Sequence, residues 1–155
     1  MNLIEALKLQ SQLTKQTNEL SVLIEKCCQA QEGDEPPFDP NQLFQEYEDL
    51  LQELIELSIR IQTTNNIIKF KYLDNPTPRS MTQALADVSK LEALRYSASR
   101  IVNNGIITRG YGNKKIKDVA YADVVKYHKI SNEFDKQLNS LSLSIQNANH
   151  EFELI

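Results

Sequence analysis

The chain has 155 residues, 17 basic and 21 acidic side chains, a formal net charge of −4, four glycines, five prolines and no tryptophan. That length suits one domain with its own core, and scarce Gly and Pro beside abundant Leu, Gln, Glu, Lys and Ala favour long helices over a many-turned β fold. No stretch nears the roughly 20 apolar residues of a spanning helix, and Glu5, Lys8 and Lys15 interrupt any signal-peptide core, so a cytoplasmic protein is expected.

From Leu3 to Ala30 a heptad places Ala6, Leu13, Leu20 and Cys27 at one seam position and Leu9, Gln16, Leu23 and Ala30 at the other, with Leu7 and Ile24 widening the stripe. The pattern predicts a first helix over 1–31. It ends in Gln31-Glu32-Gly33-Asp34-Glu35-Pro36-Pro37-Phe38-Asp39-Pro40, where Gly33 suits a left-handed residue and Pro36 and Pro37 cannot continue a helix. Asp39 before Pro40 is an N-cap with proline at the first helical position, and Gln42 completes a capping box. A second helix therefore folds back over 40–68, with Leu43, Tyr47, Leu50, Leu54, Leu57, Ile61, Thr64 and Ile68 in its seam and Phe44, Leu51 and Ile55 alongside. Both stripes are broader than a two-stranded seam needs, so each helix must touch more than its hairpin partner.

Ser80-Met81-Thr82-Gln83 is another capping box, with Thr82 as an alternative cap, and opens a third helix over 81–103. Its inner face reads Leu85, Val88, Leu91, Leu94, Ala98 and Ile101, and Asn103-Asn104-Gly105 ends it. Over 106–121, β-branched residues flank Gly110-Tyr111-Gly112-Asn113, which predicts a short β-hairpin or loop. Two isolated strands are marginal in water, so such a hairpin must pack on the helices or pair with another protomer. Gly110-x-Gly112 lacks the third glycine and lysine-serine pair of a phosphate loop. The fourth helix, over 123–149, carries Val124, Tyr127, Ser131, Phe134, Leu138, Leu141, Ile145 and Ala148. The fold class is thus mainly α: a single domain over 1–155, an antiparallel bundle of four long helices with a short β-hairpin between the third and fourth.

Chemistry is harder to find. Cys27 and Cys28 are neighbours on a helix and read as reduced thiols, because a disulfide between them would distort it. His128 and His150 stand at no metal-ligand spacing from them, and a cysteine-histidine dyad would need one of these two. The carboxylates of Glu32, Asp34, Glu35 and Asp39 lack a calcium-loop pattern and read as caps and solvation of the tip. Asn65 and Asn66 continue the seam of the second helix and suit a structural role. Tyr47, Tyr72, Tyr96, Tyr111, Tyr121 and Tyr127 with Arg95, Arg100 and Arg109 could line an anion-binding cleft. No catalytic residue, metal ligand or cofactor is assigned, and the chain reads as a non-enzyme.

Charge is divided along the sequence: −8 over 1–65, +7 over 66–131 and −3 over 132–155. Opposed blocks can pair within or between protomers, and the candidate interaction residues are Lys114, Lys115 and Lys117 against Glu46, Asp49 and Glu53, with Glu48 beside them. A nucleic-acid or anionic-lipid patch from Lys69, Lys71, Arg79, Arg109 and the same three lysines is the alternative. No recognition helix or basic aromatic platform accompanies it, so no specific nucleic acid is expected.

The order Gln31-Glu32-Gly33-Asp34-Glu35-Pro36, Ile61-x-Thr63-Thr64-Asn65, Thr82-x-Ala84-Leu85-Ala86, Ile116-Lys117 before Asp123-Val124, and Glu153-Leu154 resembles the septicolysin-like family of small bacterial proteins. The resemblance covers nearly the whole chain and implies a bacterial protein of unknown function whose family name points to a cytolysin. It brings no functional residues with it. The leading expectation is a non-enzymatic, self-associating helical protein that forms a homo-oligomer. The alternatives are a membrane-active, cytolysin-like protein, with peripheral contact and no transmembrane segment, and a small anionic-ligand binder.

Overall fold

Capping and proline chemistry delimit the elements. The computed structural model describes residues 1–107 and 118–155. In the described residues the order is α1 (Leu3–Cys27), α2 (Pro40–Ile67), β1 (Lys69–Phe70), β2 (Arg79–Ser80), α3 (Met81–Gly105) and α4 (Val124–Glu151), a mainly α fold. Asn2 and Glu5 open α1 with a reciprocal capping box, each bond 3.0 Å. Asp39 caps α2 with Pro40 behind it, but its carboxylate takes the Asn41 backbone N–H at 2.9 Å, so the box expected with Gln42 does not form. The Ser80–Gln83 box opens α3 as its sequence indicates, and the Asp123 carboxylate accepts the Lys126 N–H at the start of α4. Gly33 adopts φ +93 in the turn after α1.

The chain packs as two compact units, Met1–Ile68 with Ala148–Ile155, and Lys69–Asn147. In the first, α1 and α2 form an antiparallel hairpin. All eight expected seam residues of α2 are buried or half-buried. In α1 the row Ala6, Leu13, Leu20 and Cys27 faces inward as expected, but the second row runs Leu3, Gln10, Thr17 and Ile24. Gln16 is exposed, and Ala30 lies beyond the helix. Two polar residues enter the seam because each finds a partner there. Gln10 Nε2 donates to Ser58 Oγ at 2.9 Å, and the Thr17 hydroxyl donates to the Thr14 carbonyl.

The last residues close this unit. Asn2 and Glu153 form an antiparallel bridge, Leu3 N–H donates to the Phe152 carbonyl, and Leu154 N–H donates to the Met1 carbonyl. Thr64, fully buried, donates to the Arg60 carbonyl and accepts the Ile155 N–H at 3.0 Å, while Arg60 Nε donates to the Ile155 carbonyl oxygen. Its hydroxyl thus ties the tail to α2.

In the second unit α3 and α4 are antiparallel, since Arg95 pairs with Asp135 and Ser99 with Ser131. Tyr72, Ala84, Leu91 and Leu141 form the core, and Phe70, Leu73, Val88, Phe134, Leu138 and Ile145 pack on it. The α4 seam is as expected, but on α3 Met81 and Ala84 are buried where Leu85 and Leu94 were expected inside. Those two leucines are exposed. A small side chain at position 84 lets the backbone approach the core closely, and Gly105 serves the same end, because a Cβ there would meet Val124 Cγ2 at 2.7 Å. β1 and β2 pair antiparallel, Lys69 with Ser80 and Phe70 with Arg79, in the connection that leads from α2 to α3. The hairpin expected over 106–121 falls mainly on residues 108–117, outside the described residues.

Thr64→Val keeps the seam's shape but removes the acceptor of the Ile155 N–H. It should lower unfolding stability by about 1–2 kcal/mol, read as a lower urea midpoint with an unchanged slope. An unchanged midpoint would show that the Thr64–Ile155 hydrogen bond contributes nothing to the stability of the hairpin.

Candidate interaction surface

α2 presents two different faces besides its seam. Phe44, Glu48, Leu51, Ile55 and Ile59 recur at three- and four-residue steps and share one row. Phe44, Ile55 and Ile59 are 51%, 45% and 58% exposed, and Leu51 is half-buried. Glu46, Asp49 and Glu53 are exposed along the other flank of the seam. There Asp49 accepts from the Gln45 side chain, and Glu46 borders a shallow groove with Gln16, Glu19, Leu20, Leu23 and Leu50. Lys114, Lys115 and Lys117, expected as their complement, lie outside the described residues, as do Arg109 and Tyr111.

The other sequence candidates are dispersed. Of the basic patch, Lys69 and Lys71 are exposed, whereas Arg79 pairs with Asp87 at 3.2 Å. Of the tyrosine and arginine set, Tyr47 belongs to the first unit beside Phe44, Tyr121 is 97% exposed, and Arg95 is held by Asp135. Among the described members, Tyr96 and Arg100 meet, with the guanidinium 5.8 Å from the ring centroid. Cys27 is buried and Cys28 exposed, both free thiols. His150 stands two residues before Phe152, which pairs with Leu3 at the far end of α1, about 36 Å along the helix from Cys27. These two cannot form a dyad. Among the described residues no three His, Cys, Asp or Glu side chains are grouped to hold a metal ion.

A polar cleft between α3 and α4 was not anticipated. Ser99, Val102, Asn103, His128, Ser131, Asn132 and Asp135 line it, enclosing about 360 Å³. Several of its groups already have partners: Ser99 and Ser131 share a hydrogen bond of 3.0 Å, His128 Nε2 lies 3.5 Å from the Asn132 amide, and Asp135 pairs with Arg95. Among the described residues no base is poised on either serine. The one sequence signal was Ser131, a hydroxyl at a seam position.

The second unit's other ionisable cluster is structural. The Tyr72 hydroxyl, on a side chain 2% exposed, donates to Asp87 Oδ2 at 2.8 Å, and Arg79 Nη1 donates to the same oxygen. Burial raises the phenol's pKa above its ordinary 10.0; the hydrogen bond to Asp87 and its charge add to this, while Arg79 opposes them.

Two helical hairpins, each with its polar interior groups paired and apolar side chains facing outward, define a small helical protein whose described residues hold no assembled catalytic or metal centre. The chain belongs to the family of unknown function DUF6847, which it matches over residues 10–154. Its fold is similar to the crystal structure of a functionally unknown conserved protein from Corynebacterium diphtheriae, at 27% identity and a TM-score of 0.85, covering 100% of this chain and 99% of that one. No curated protein matches. The family found is thus one of unknown function, as the septicolysin resemblance implied in its broader sense; the septicolysin name itself is not carried by it.

Because the folded Tyr72 pKa lies above the unfolded value of 10.0, the folded state holds the phenolic proton longer. Its stabilising contribution is complete below about pH 10 and is lost as pH rises through the folded pKa. Absorbance titration should therefore show one tyrosine ionising late, and that late phase should vanish in Tyr72→Phe. The same variant should lose about 1–2 kcal/mol at neutral pH. A wild-type titration without a late phase would contradict the assignment.

Proposed function

We propose that this protein is a non-enzymatic helical protein that associates with its own copies into a homo-oligomer. The observation that carries the reading is the outward apolar row of α2, where Phe44, Ile55 and Ile59 remain about half exposed in the folded chain. Covering each would contribute on the order of 1 kcal/mol, and apolar residues sharing one helix face are more informative than scattered ones. Lys114, Lys115 and Lys117 supply basic charge to Glu46, Asp49 and Glu53 of a second copy, which guides register and encounter more than it adds affinity. A cytoplasmic setting agrees with two free thiols.

The cytolysin reading would recruit the same apolar rows to lipid, since no helix among the described residues is long and apolar enough to cross a membrane. Acidic α2 disfavours it on anionic surfaces. Dye release from liposomes, with and without anionic lipid, separates the readings, and leakage would favour the cytolysin.

Size-exclusion chromatography with light scattering should give a multiple of 17.8 kDa at micromolar concentration. Ile55→Asp combined with Ile59→Asp should shift the mass toward the monomer without changing the helical circular dichroism. Reversing Lys114, Lys115 and Lys117 to Glu should weaken association, and Lys at positions 46, 49 and 53 should partly restore it. A wild-type monomer at every concentration tested would overturn the proposal, and a salt-sensitive shift of DNA by the basic segment would redirect it.

A further inference from the structure

On the flank of α2 away from the Phe44 row, the first unit joins negative charge to an apolar groove. The groove lies between α1 and α2 and encloses about 320 Å³. Leu20 and Leu23 of α1 and Leu50 of α2 line it, each half-buried, and Gln16, Glu19 and Glu46 stand exposed at its rim. Asp49 and Glu53 continue the acidic edge from Glu46 along α2, at steps of three and four residues. Among the described residues no cation pairs with Glu46, Asp49 or Glu53. Glu19 meets Lys15 at 3.7 Å on the exposed surface of its own helix, a contact worth little. Leucines inside a rim of uncompensated carboxylates suit an apolar side chain carried between cations.

Two apolar residues of the chain stand directly between lysines: Phe70 in Lys69-Phe70-Lys71 and Ile116 in Lys114-Lys115-Ile116-Lys117. Phe70 is already used. It packs on the core of the second unit, its ring centroid 5.4 Å from that of Tyr72. Ile116, outside the described residues, brings one apolar anchor and three cations within four residues.

We infer that residues 114–117 of a second copy dock in the α1–α2 groove, with Ile116 covered by Leu20, Leu23 and Leu50 and the lysines reaching Glu19, Glu46 and Asp49. Lysine stems can lie along apolar surface while their ammonium groups stay at a solvated rim. The buried anchor supplies affinity, and the rim charges set register and suppress wrong partners. An anionic lipid surface is one such wrong partner, since the rim would repel it. The inference rests on the self-association reading and names one contact that carries it.

Sedimentation equilibrium on the full chain tests the anchor. Ile116→Ser keeps every charge and should associate about tenfold more weakly than the wild type, while Ile116→Leu should associate as the wild type does. Thermal melts verify that each variant folds. Disulfide trapping tests the position in a Cys28→Ser background, which removes the exposed native thiol. A Glu46→Cys chain mixed with a Lys117→Cys chain and oxidised glutathione should give a pair of twice the chain mass, and mass spectrometry should find the 46–117 link, which can form only between copies. Gln52→Cys, exposed about 200° round the helix from Leu50, should link to position 117 far less. A wild type that associates while Ile116→Ser associates equally well, or a 46–117 link no more abundant than the 52–117 link, would overturn the docking and leave self-association standing. A monomeric wild type would remove both.

Discussion

A polar side chain placed in a helix–helix seam must find a hydrogen-bond partner within the seam, and that constraint shapes both hairpins. Leaving a buried donor or acceptor unpaired costs about 1–3 kcal/mol, a large fraction of a small domain's stability. Among the described residues no buried side-chain nitrogen or oxygen lacks a partner. Gln10 donates to Ser58, which donates to the Leu54 carbonyl, so one chain of bonds links α1 to the backbone of α2. Ser99 and Ser131 join α3 to α4 in the same way, and Tyr72, Asp87 and Arg79 hold β1–β2 to α3. Sliding either hairpin by a turn would break these pairs and bury the orphans. Apolar stripes alone would tolerate the slip far better.

The same constraint explains where the sequence was legible. The seams of α2 and α4 are built from large apolar residues at three- and four-residue spacing, and periodicity alone identifies them. α1 offers two rows of comparable periodicity, and the one containing Leu9 and Leu23 reads as more apolar. The structure buries Thr17 instead, because a hydroxyl that donates to its own helix can enter an apolar seam. On α3, Ala84 displaces Leu85 for a steric reason that periodicity does not register. Strands of two residues are too short to show alternation, so β1 and β2 left no pattern. The bridge of Asn2 to Glu153 is made by backbone groups, which have no side-chain signature.

Of the candidate surface, the acidic flank of α2 was readable as charge and the excess width of its apolar stripe as a row in need of cover. On α3 the exposed face was less legible, because the sequence reads Leu85 and Leu94 as inward and Tyr96 and Arg100 as lining a ligand cleft. An inward Leu85 and Leu94 would require room inside the α3–α4 hairpin for every apolar residue of that face. A two-helix hairpin has too little interior for that: Ala84, Ala98 and Ala148 occupy buried positions while Phe44, Ile55 and Ile59 do not. Small residues at these positions bring the backbones together, and some large apolar side chains are left at the periphery.

This inversion bears on function. Catalysis requires a group whose hydrogen-bonding capacity or protonation state is held ready for a substrate. In the α3–α4 cleft the hydroxyl pair is closed on itself, Asp135 is neutralised by Arg95, and the imidazole of His128 rests against Asn132 on its own helix. Among the described residues the buried polar groups are paired, while Phe44, Ile55 and Ile59 remain about half exposed. Covering those exposed side chains would remove further apolar surface from water.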